Sequence, residues 1–173
     1  MHYNSKGLGN SIQFVCYGVD PVWIHDNSRL MSLVRRALLE ERYTIISEAS
    51  HKFESDDGPT GYTGVFVISE SDATFHTYEE NSSIEITVNT CRGPNAGWVT
   101  VATLVEELEP QEGVYAVSTN VPIERSKRVA ARESNSIIEV ETPEEFLQVI
   151  DDRVRDCYKE MYERFGDSPD GSA

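Results

Sequence analysis

Ser71, His76 and Cys91 are the residues of this chain whose types and spacing could together carry out nucleophilic and proton-transfer chemistry. They fall in one block, VISESDATFHTYEE at 67–80 followed by SIEITVNTC at 83–91. An apolar strand runs into Glu70-Ser71-Asp72 and then resumes with a histidine inside it. A hydroxyl beside a base is an activated nucleophile. Placed directly after a peptide carbonyl, that hydroxyl can act on its own backbone, which makes the Glu70–Ser71 peptide bond a candidate reactant. Each residue also has an ordinary reading: a histidine in a strand is usually structural, a lone cysteine is usually a small buried hydrophobe, and Ser71 can simply close a turn. No G-x-S-x-G, P-loop, H-E-x-x-H or dinucleotide fingerprint supplies a competing chemistry.

The elements that must position these residues are a hairpin. In SIEITVNTC, alternation puts Ile84, Ile86 and Val88 on one face, and Glu85, Thr87, Asn89 and Cys91 on the other. The first set is core; the second is too polar for core and ends in a thiol. On the partner strand His76, Tyr78 and Glu80 share a face. A turn centred between Asn81 and Ser82 places Cys91 opposite residue 72, with its thiol beside Ser71. Ser71 and His76 are five apart, so a straight strand puts them on opposite faces. They meet only if the chain bends between 71 and 74.

Around the hairpin the pattern is mixed. Residues 1–10 read as a loose tail, and SIQFVCYGV (11–19) as a buried strand. Asp26-Asn27-Ser28 caps a helix with Leu30, Met31, Val34 and Leu38 at helical spacing. Strands follow at 43–53 and 63–70, separated by the Gly/Pro-punctuated loop 54–61. A helix is expected over 96–107 and a strand over 113–119, then a charged, irregular stretch at 120–137. Thr142, Pro143 and Glu145 spell a capping box for a C-terminal helix with the stripe Phe146, Val149, Ile150, Val154, Cys157, Met161. The tail after Gly166 is expected to fray. The fold class is an α/β (α+β) sandwich, a mostly antiparallel sheet packed against helices. Its organisation is a tail at 1–10, a core at 11–120, and a charged segment with the helix at 121–173.

With 173 residues and a net charge of −15, the chain is one domain's worth and is not expected to coat nucleic acid or anionic lipid. Cys16, Cys91 and Cys157 are an odd number without metal-ligand spacing, which points to reduced thiols and no metal site. No export signal or membrane span is expected, and the location is expected to be cytoplasmic.

The block TGVFVISESDATFHTYEENSSIEITVNTCRG (63–93) resembles the prokaryotic S-adenosylmethionine decarboxylase proenzymes. In that family an apolar strand ends in Ile-Ser-Glu-Ser, the processing histidine lies five residues past the second serine, and the cysteine fifteen further on. Ser71, His76 and Cys91 stand at those positions. A weaker likeness runs upstream through FVCYGVDP and onward to about residue 107.

The resemblance implies a self-cleaving enzyme, cut between Glu70 and Ser71. The Ser71 hydroxyl attacks the Glu70 carbonyl to give an ester, His76 promotes loss of the Cα proton, and elimination splits the chain, after which the new N-terminus on residue 71 becomes a pyruvoyl group. That cofactor forms a Schiff base with the substrate amine and acts as the electron sink for decarboxylation. By the same resemblance Cys91 is the proton donor, Thr63 a hydroxyl that helps processing, Glu80 the carboxylate that binds the substrate ribose, and Phe53 the aromatic that stacks on adenine. The implied product is decarboxylated S-adenosylmethionine, an aminopropyl donor for spermidine synthesis. The implied assembly is a homodimer, with residues of both protomers lining each site.

Several positions depart from the family pattern. Thr63 replaces a serine, Asp72 a histidine, and Glu79 a proline; GNSIQF lacks a His-Leu pair, and the loop between Phe53 and Thr63 is about four residues longer. Asp72 and Glu79 add carboxylates that suit a cationic amino acid, so an arginine or ornithine decarboxylase is the alternative substrate reading. A non-catalytic regulatory paralogue is the alternative from another class, against which stands the retention of Ser71, His76 and Cys91 together.

Overall fold

The computed structural model describes residues 8–54, 60–122 and 136–165. Seven strands form a single antiparallel sheet: β1 (Leu8–Tyr17), β2 (Ile45–Phe53), β3 (Gly61–Ile68), β4 (Ser71–Tyr78), β5 (Ser83–Thr90), β6 (Gly113–Pro122) and β7 (Ser136–Val140). Their spatial order is β2-β3-β4-β5-β1-β6-β7. Four helices accompany them, α1 (Pro21–His25), α2 (Asn27–Glu40), α3 (Trp98–Leu108) and α4 (Pro143–Phe165).

Period-2 alternation sorts the strand residues into two faces. Ile12, Phe14, Cys16, Phe66, Ala73, Phe75, Ile84, Ile86, Val88 and Ala116 are fully buried and share one core with Leu30, Val34, Leu38, Trp98, Leu104, Phe146 and Cys157 from the helices. Gly64 belongs to this packing because the Phe75 ring lies where a side chain would be: a Cβ there would sit 2.1 Å from Phe75 Cε1. The other face carries Gln13, Tyr17, Asp72, Thr74, His76, Glu85, Asn89 and Tyr115, none of them buried. Among the described residues, no element covers it.

The expected elements are present, with informative differences. α2 is capped as expected, Asp26 Oδ1 accepting from the Arg29 N–H at 3.0 Å. The short α1, capped by Asp20, is an addition, too short to show a hydrophobic period. β1 begins at Leu8 and pairs with β6 from that residue, so the last three residues of the expected 1–10 tail are strand. β6 continues to Pro122 and β7 pairs with it, so part of the stretch expected to be irregular is strand too, and residues 1–7, 55–59, 123–135 and 166–173 lie outside the described ones. In α4 the Glu145 N–H donates to Thr142 Oγ1 at 3.2 Å, while Glu145 Oε2 accepts from the Glu141 N–H, one residue upstream of the usual capping-box partner. Phe146, Cys157 and Met161 of its stripe are buried, and Val154 packs against the core. The side chains of Val149 and Ile150 lie outside the described ones.

One buried polar hub ties helices to sheet. Glu41, just past α2, is 1 % exposed and accepts from the Gly97 N–H at 2.5 Å, the Thr100 N–H at 2.8 Å and the Thr100 hydroxyl at 2.8 Å. Gly97, with φ of +97°, offers no capping side chain. Glu41 therefore supplies the acceptors that the α3 N-terminus lacks. Glu41→Leu should cost on the order of 3 kcal/mol, since several buried donors lose their acceptor at once. Urea denaturation checks this, and Glu41→Gln should recover part of the loss.

Candidate active site

The Glu70–Ser71 bond lies in a tight hairpin. β3 ends at Ile68 and β4 begins at Ser71, the two residues pairing across a two-residue connection, Ser69-Glu70. The Ser69 N–H anchors this turn on the Thr44 carbonyl at 2.9 Å. Glu70 is buried, and its carbonyl accepts a hydrogen bond from the Cys91 N–H at 3.2 Å. The Ser71 hydroxyl donates to Asp72 Oδ1 at 3.2 Å. Asp72 Oδ2 accepts from Asn89 Nδ2 at 3.0 Å, and Asn89 Oδ1 accepts from the Ser11 hydroxyl at 2.7 Å. Asp72 is thus held in place from the neighbouring strands. Ser71 has φ of 159°, at the border of ordinary extended backbone, and no stored strain is inferred from it.

A pocket of about 260 Å³ opens here, lined by Gly9, Asn10, Ser11, Ser71, Asn89, Thr90, Cys91 and Val121. Beside it, Asn120, paired across the strands with Asn10, keeps a buried side-chain oxygen without a hydrogen-bond partner. Ser71, Glu70 and Cys91 are therefore brought together.

The register differs from the expected one by two residues. Ser71 pairs with Thr90 and Asp72 with Asn89, so Cys91 comes opposite Glu70 rather than residue 72. The turn is a 3-10 helix, Glu79–Asn81, closed by Ser82 in the left-handed conformation, φ 46°, which shifts its centre toward Glu80. An even slip leaves every side chain on its expected face.

The expected bend is absent. β4 runs without interruption from Ser71 to Tyr78 and pairs continuously on both sides. His76 is therefore about 16 Å from Ser71 along one extended strand, five residues at roughly 3.3 Å each, and on the opposite face by alternation. Ladder pairing on both flanks holds the strand straight, so the turn-forming residues stay at its tip.

His76 belongs to a second group at the far end of the sheet. Its Nδ1 lies 2.9 Å from the Thr63 hydroxyl, its cross-strand partner on β3; on β5 it faces Glu85. The His76 and Tyr78 rings are 6.5 Å apart. Tyr78 donates to Glu85 at 3.5 Å; partial burial, then the charges of Glu85 and Glu80, push its phenol upward, so it stays protonated at neutral pH. Glu80 lies in the 3-10 turn, exposed, beyond the strand face on which it was expected. Phe53 pairs with Gly61, at this same end and far from Ser71. The seven sequence-predicted residues thus form two groups, Glu70, Ser71 and Cys91 at one end, and Thr63, His76, Glu80 and Phe53 at the other.

Sequence reasoning placed Asn89 on the Cys91 face without giving it a task, and gave none to Ser11, Asn10 or Thr90. Only the pairing of β1 with β5 brings these to the pocket. Among the described residues, no group of three or more metal-ligating side chains occurs, and no helix is long and apolar enough to cross a membrane.

The family profile described as S-adenosylmethionine decarboxylase matches residues 12–119, well over half of the chain. The chain belongs to the S-adenosylmethionine decarboxylase family. An S-adenosylmethionine decarboxylase proenzyme of Thermoplasma acidophilum is 31% identical over 104 residues, covering 60% of this chain and 76% of that one. An arginine decarboxylase proenzyme of Ignicoccus hospitalis is 30% identical over 111 residues, 64% of this chain and 76% of its own. The crystal structure of the adenosylmethionine decarboxylase from Aquifex aeolicus superposes with a TM-score of 0.61 at 25% identity, over 71% of this chain and 98% of that one. The remainder of this chain is additional to that enzyme.

Proposed function

We propose that this chain is a self-cleaving, pyruvoyl-dependent carboxy-lyase that decarboxylates S-adenosylmethionine for polyamine synthesis. The observation that carries the reading is the Glu70–Ser71 bond, with a hydroxyl on one side and a hydrogen-bonded carbonyl on the other. It is joined by relatives named as proenzymes.

In the first step the Ser71 oxygen attacks the Glu70 carbonyl carbon, and the C–N bond opens to leave an ester and a free amine. The Cys91 N–H already donates to the Glu70 carbonyl oxygen, so a donor is in place where negative charge develops. Asp72 accepts a hydrogen bond from the Ser71 hydroxyl in the resting chain and is the base at hand for this step. His76, with Thr63 fixing its ring through Nδ1, then takes the Cα proton of residue 71, and β-elimination releases the chain ending at Glu70. The dehydroalanine left at residue 71 tautomerises to an imine, which water hydrolyses with loss of ammonia to the pyruvoyl group.

A pyruvoyl group fits the pocket, which offers uncharged polar neighbours for its two carbonyl oxygens: Asn89, Thr90 and Cys91. When formed, it supplies the electron sink that the side chains of a protein lack. Asp72 and the buried acceptor of Asn120 are available to a cationic substrate, whose sulfonium and ammonium groups both carry positive charge. Cys91 returns a proton to the substrate carbon. Cys91→Ala should therefore still be cut but lose turnover by on the order of 10²-fold; mass spectrometry and single-turnover kinetics check the two halves of that statement.

His76 reaches Ser71 only from a second copy. The uncovered sheet face exposes Tyr17, Val67, Tyr115 and Val121 at 37–44 %, an apolar set that a two-fold partner would bury. In such a homodimer each site takes Ser71, Asp72 and Cys91 from one protomer and Thr63 and His76 from the other. Glu80 and Phe53 would reach the substrate the same way.

Arginine is the second reading, favoured by the Asp72 carboxylate against Ser71 and by the Ignicoccus relative's name. Release of labelled CO₂ from carboxyl-labelled S-adenosylmethionine, arginine and ornithine separates the readings. Release from S-adenosylmethionine alone supports the first. Release from arginine alone replaces it, and release from none of the three removes both.

A further inference from the structure

We propose that α4, which lies beyond the 12–119 region shared with the family, is a positioning element for Cys91, gripping the segment that follows the thiol through Arg92. The proposal rests on the reading of Cys91 as the proton donor.

Cys91 leaves β5 and is followed by a connection, 91–97, that leads into α3. Connections of this kind owe their conformation to what packs on them. Arg92, immediately next, is only 8 % exposed. Its backbone N–H donates to Thr90 Oγ1 at 3.1 Å, and its guanidinium donates to the Glu41 carbonyl at 2.8 Å. The guanidinium also lies over two rings, with its central carbon 4.4 Å from the Tyr43 centroid and 4.8 Å from that of Phe165. Tyr43 belongs to the shared region; Phe165 is the last residue of α4. A guanidinium within cation–π reach of two rings and hydrogen-bonded to a carbonyl is restrained, and the Arg92 Cα is one peptide unit from the thiol-bearing residue.

The preceding turns of α4 hold the rest of the connection. Glu160 Oε1 accepts from Asn95 Nδ2 at 3.0 Å. A Cβ at Gly93 would come within 2.8 Å of Glu160 Oε2, so the helix passes directly against that backbone. Cys157 donates its thiol hydrogen to Glu41 Oε1 at 3.2 Å. Burial, reinforced by Glu41, pushes that thiol well above its ordinary range, so it acts as a fixed donor. Three levels of one helix, at 157, 160 and 165, thus converge on Glu41 and the 92–95 backbone. The same backbone carries the Cys91 N–H that contacts the scissile carbonyl.

The test uses the full chain with Phe165→Ala, Phe165→Tyr and Arg92→Lys. Phe165 is 39 % exposed, so removing its ring leaves the core intact, and thermal melting fixes a working temperature well below unfolding. The readouts are the iodoacetamide alkylation rate of Cys91, mapped by peptide against Cys16 and Cys157, together with kcat and KM on the substrate found by CO₂ release. Phe165→Ala and Arg92→Lys should change Cys91 alkylation about threefold or more and lower kcat about tenfold, the penalty of a slightly misplaced group. KM should stay within about twofold. Phe165→Tyr, which keeps the ring, should match wild type. Unchanged alkylation and kcat in both disrupting variants, or equal changes in Phe165→Tyr, would overturn the proposal. An uncut wild-type chain would count against the decarboxylase reading, while the alkylation rates would still decide whether α4 positions the thiol.

Discussion

Ser71→Ala yields a single uncut chain of full length and no decarboxylation. The expectation follows from what the hydroxyl does in the turn. In the proposed reaction it is the nucleophile next to the Glu70 carbonyl, and neither neighbouring hydroxyl would replace it: Ser69 lies on the other side of the Glu70–Ser71 bond and bonds Glu70's own carboxylate, and the Thr90 hydroxyl accepts from the Arg92 N–H. Without attack there is no ester, and without the ester no elimination, so the cofactor never forms. The variant should remain folded. The side-chain hydrogen bond to Asp72 is lost, at a cost of about 1 kcal/mol, and the β3–β4 pairing that holds the turn does not involve the side chain. Denaturing mass spectrometry reads the outcome directly. A Ser71→Ala chain cut normally would move the processing site elsewhere.

His76→Ala alone should also stay uncut, or stall as the ester, yet be rescued by the Ser71→Ala chain. The two groups of the site sit about 16 Å apart on one straight strand, whereas proton transfer needs hydrogen-bond reach. In a mixed dimer the His76→Ala chain supplies Ser71, Asp72 and Cys91, and the Ser71→Ala chain supplies Thr63 and His76. Co-expression in equal amounts makes half of random dimers mixed. Roughly half of the His76→Ala chains should then be cut at Glu70–Ser71, against none for either variant expressed alone. Failure of cutting in a mixture shown to contain hetero-dimers would return His76 to its own chain's site, or remove it from the chemistry.

The physical reasons why parts of this molecule are legible from sequence differ by element. Alternation in β5 is clean because its residues pack on one side only; Ile84, Ile86 and Val88 are all fully buried. The hairpin register was two residues off because Glu79–Asn81 adopts a 3-10 turn instead of a simple reversal, a choice that depends on neighbours such as His25, which meets Glu79 at 3.3 Å. The expected bend after Ser71 failed for a tertiary reason: with strands on both sides, extended pairing overrides local turn preference. β7 was missed because it is only five residues long, Ser136–Val140, and begins inside the stretch read as irregular. Glu41 and Arg92 drew no reading from the sequence, since nothing local distinguishes a carboxylate destined to cap a helix 56 residues away. Ser71, His76 and Cys91 stand out by type and spacing, whereas Thr63, Glu80 and Phe53 were named only through the family resemblance. Their division into two groups was not legible, because it follows from β4 running straight between paired neighbours.

The helix α4 shows how an addition can become part of a site it does not line. Its stripe was visible as an amphipathic period, but what it covers was not. The core contacts of Phe146 and Cys157 bind it to the same sheet as the shared region, and its last residues reach the connection after Cys91.

The most direct measurement is the intact-mass spectrum of the purified full-length protein under denaturing conditions. The account predicts two species, a chain of residues 1–70 and a chain of residues 71–173 whose first residue is a pyruvoyl group and which therefore lacks a free amino terminus. A single unblocked 173-residue mass after prolonged incubation would contradict it, and would favour a non-catalytic member of the family.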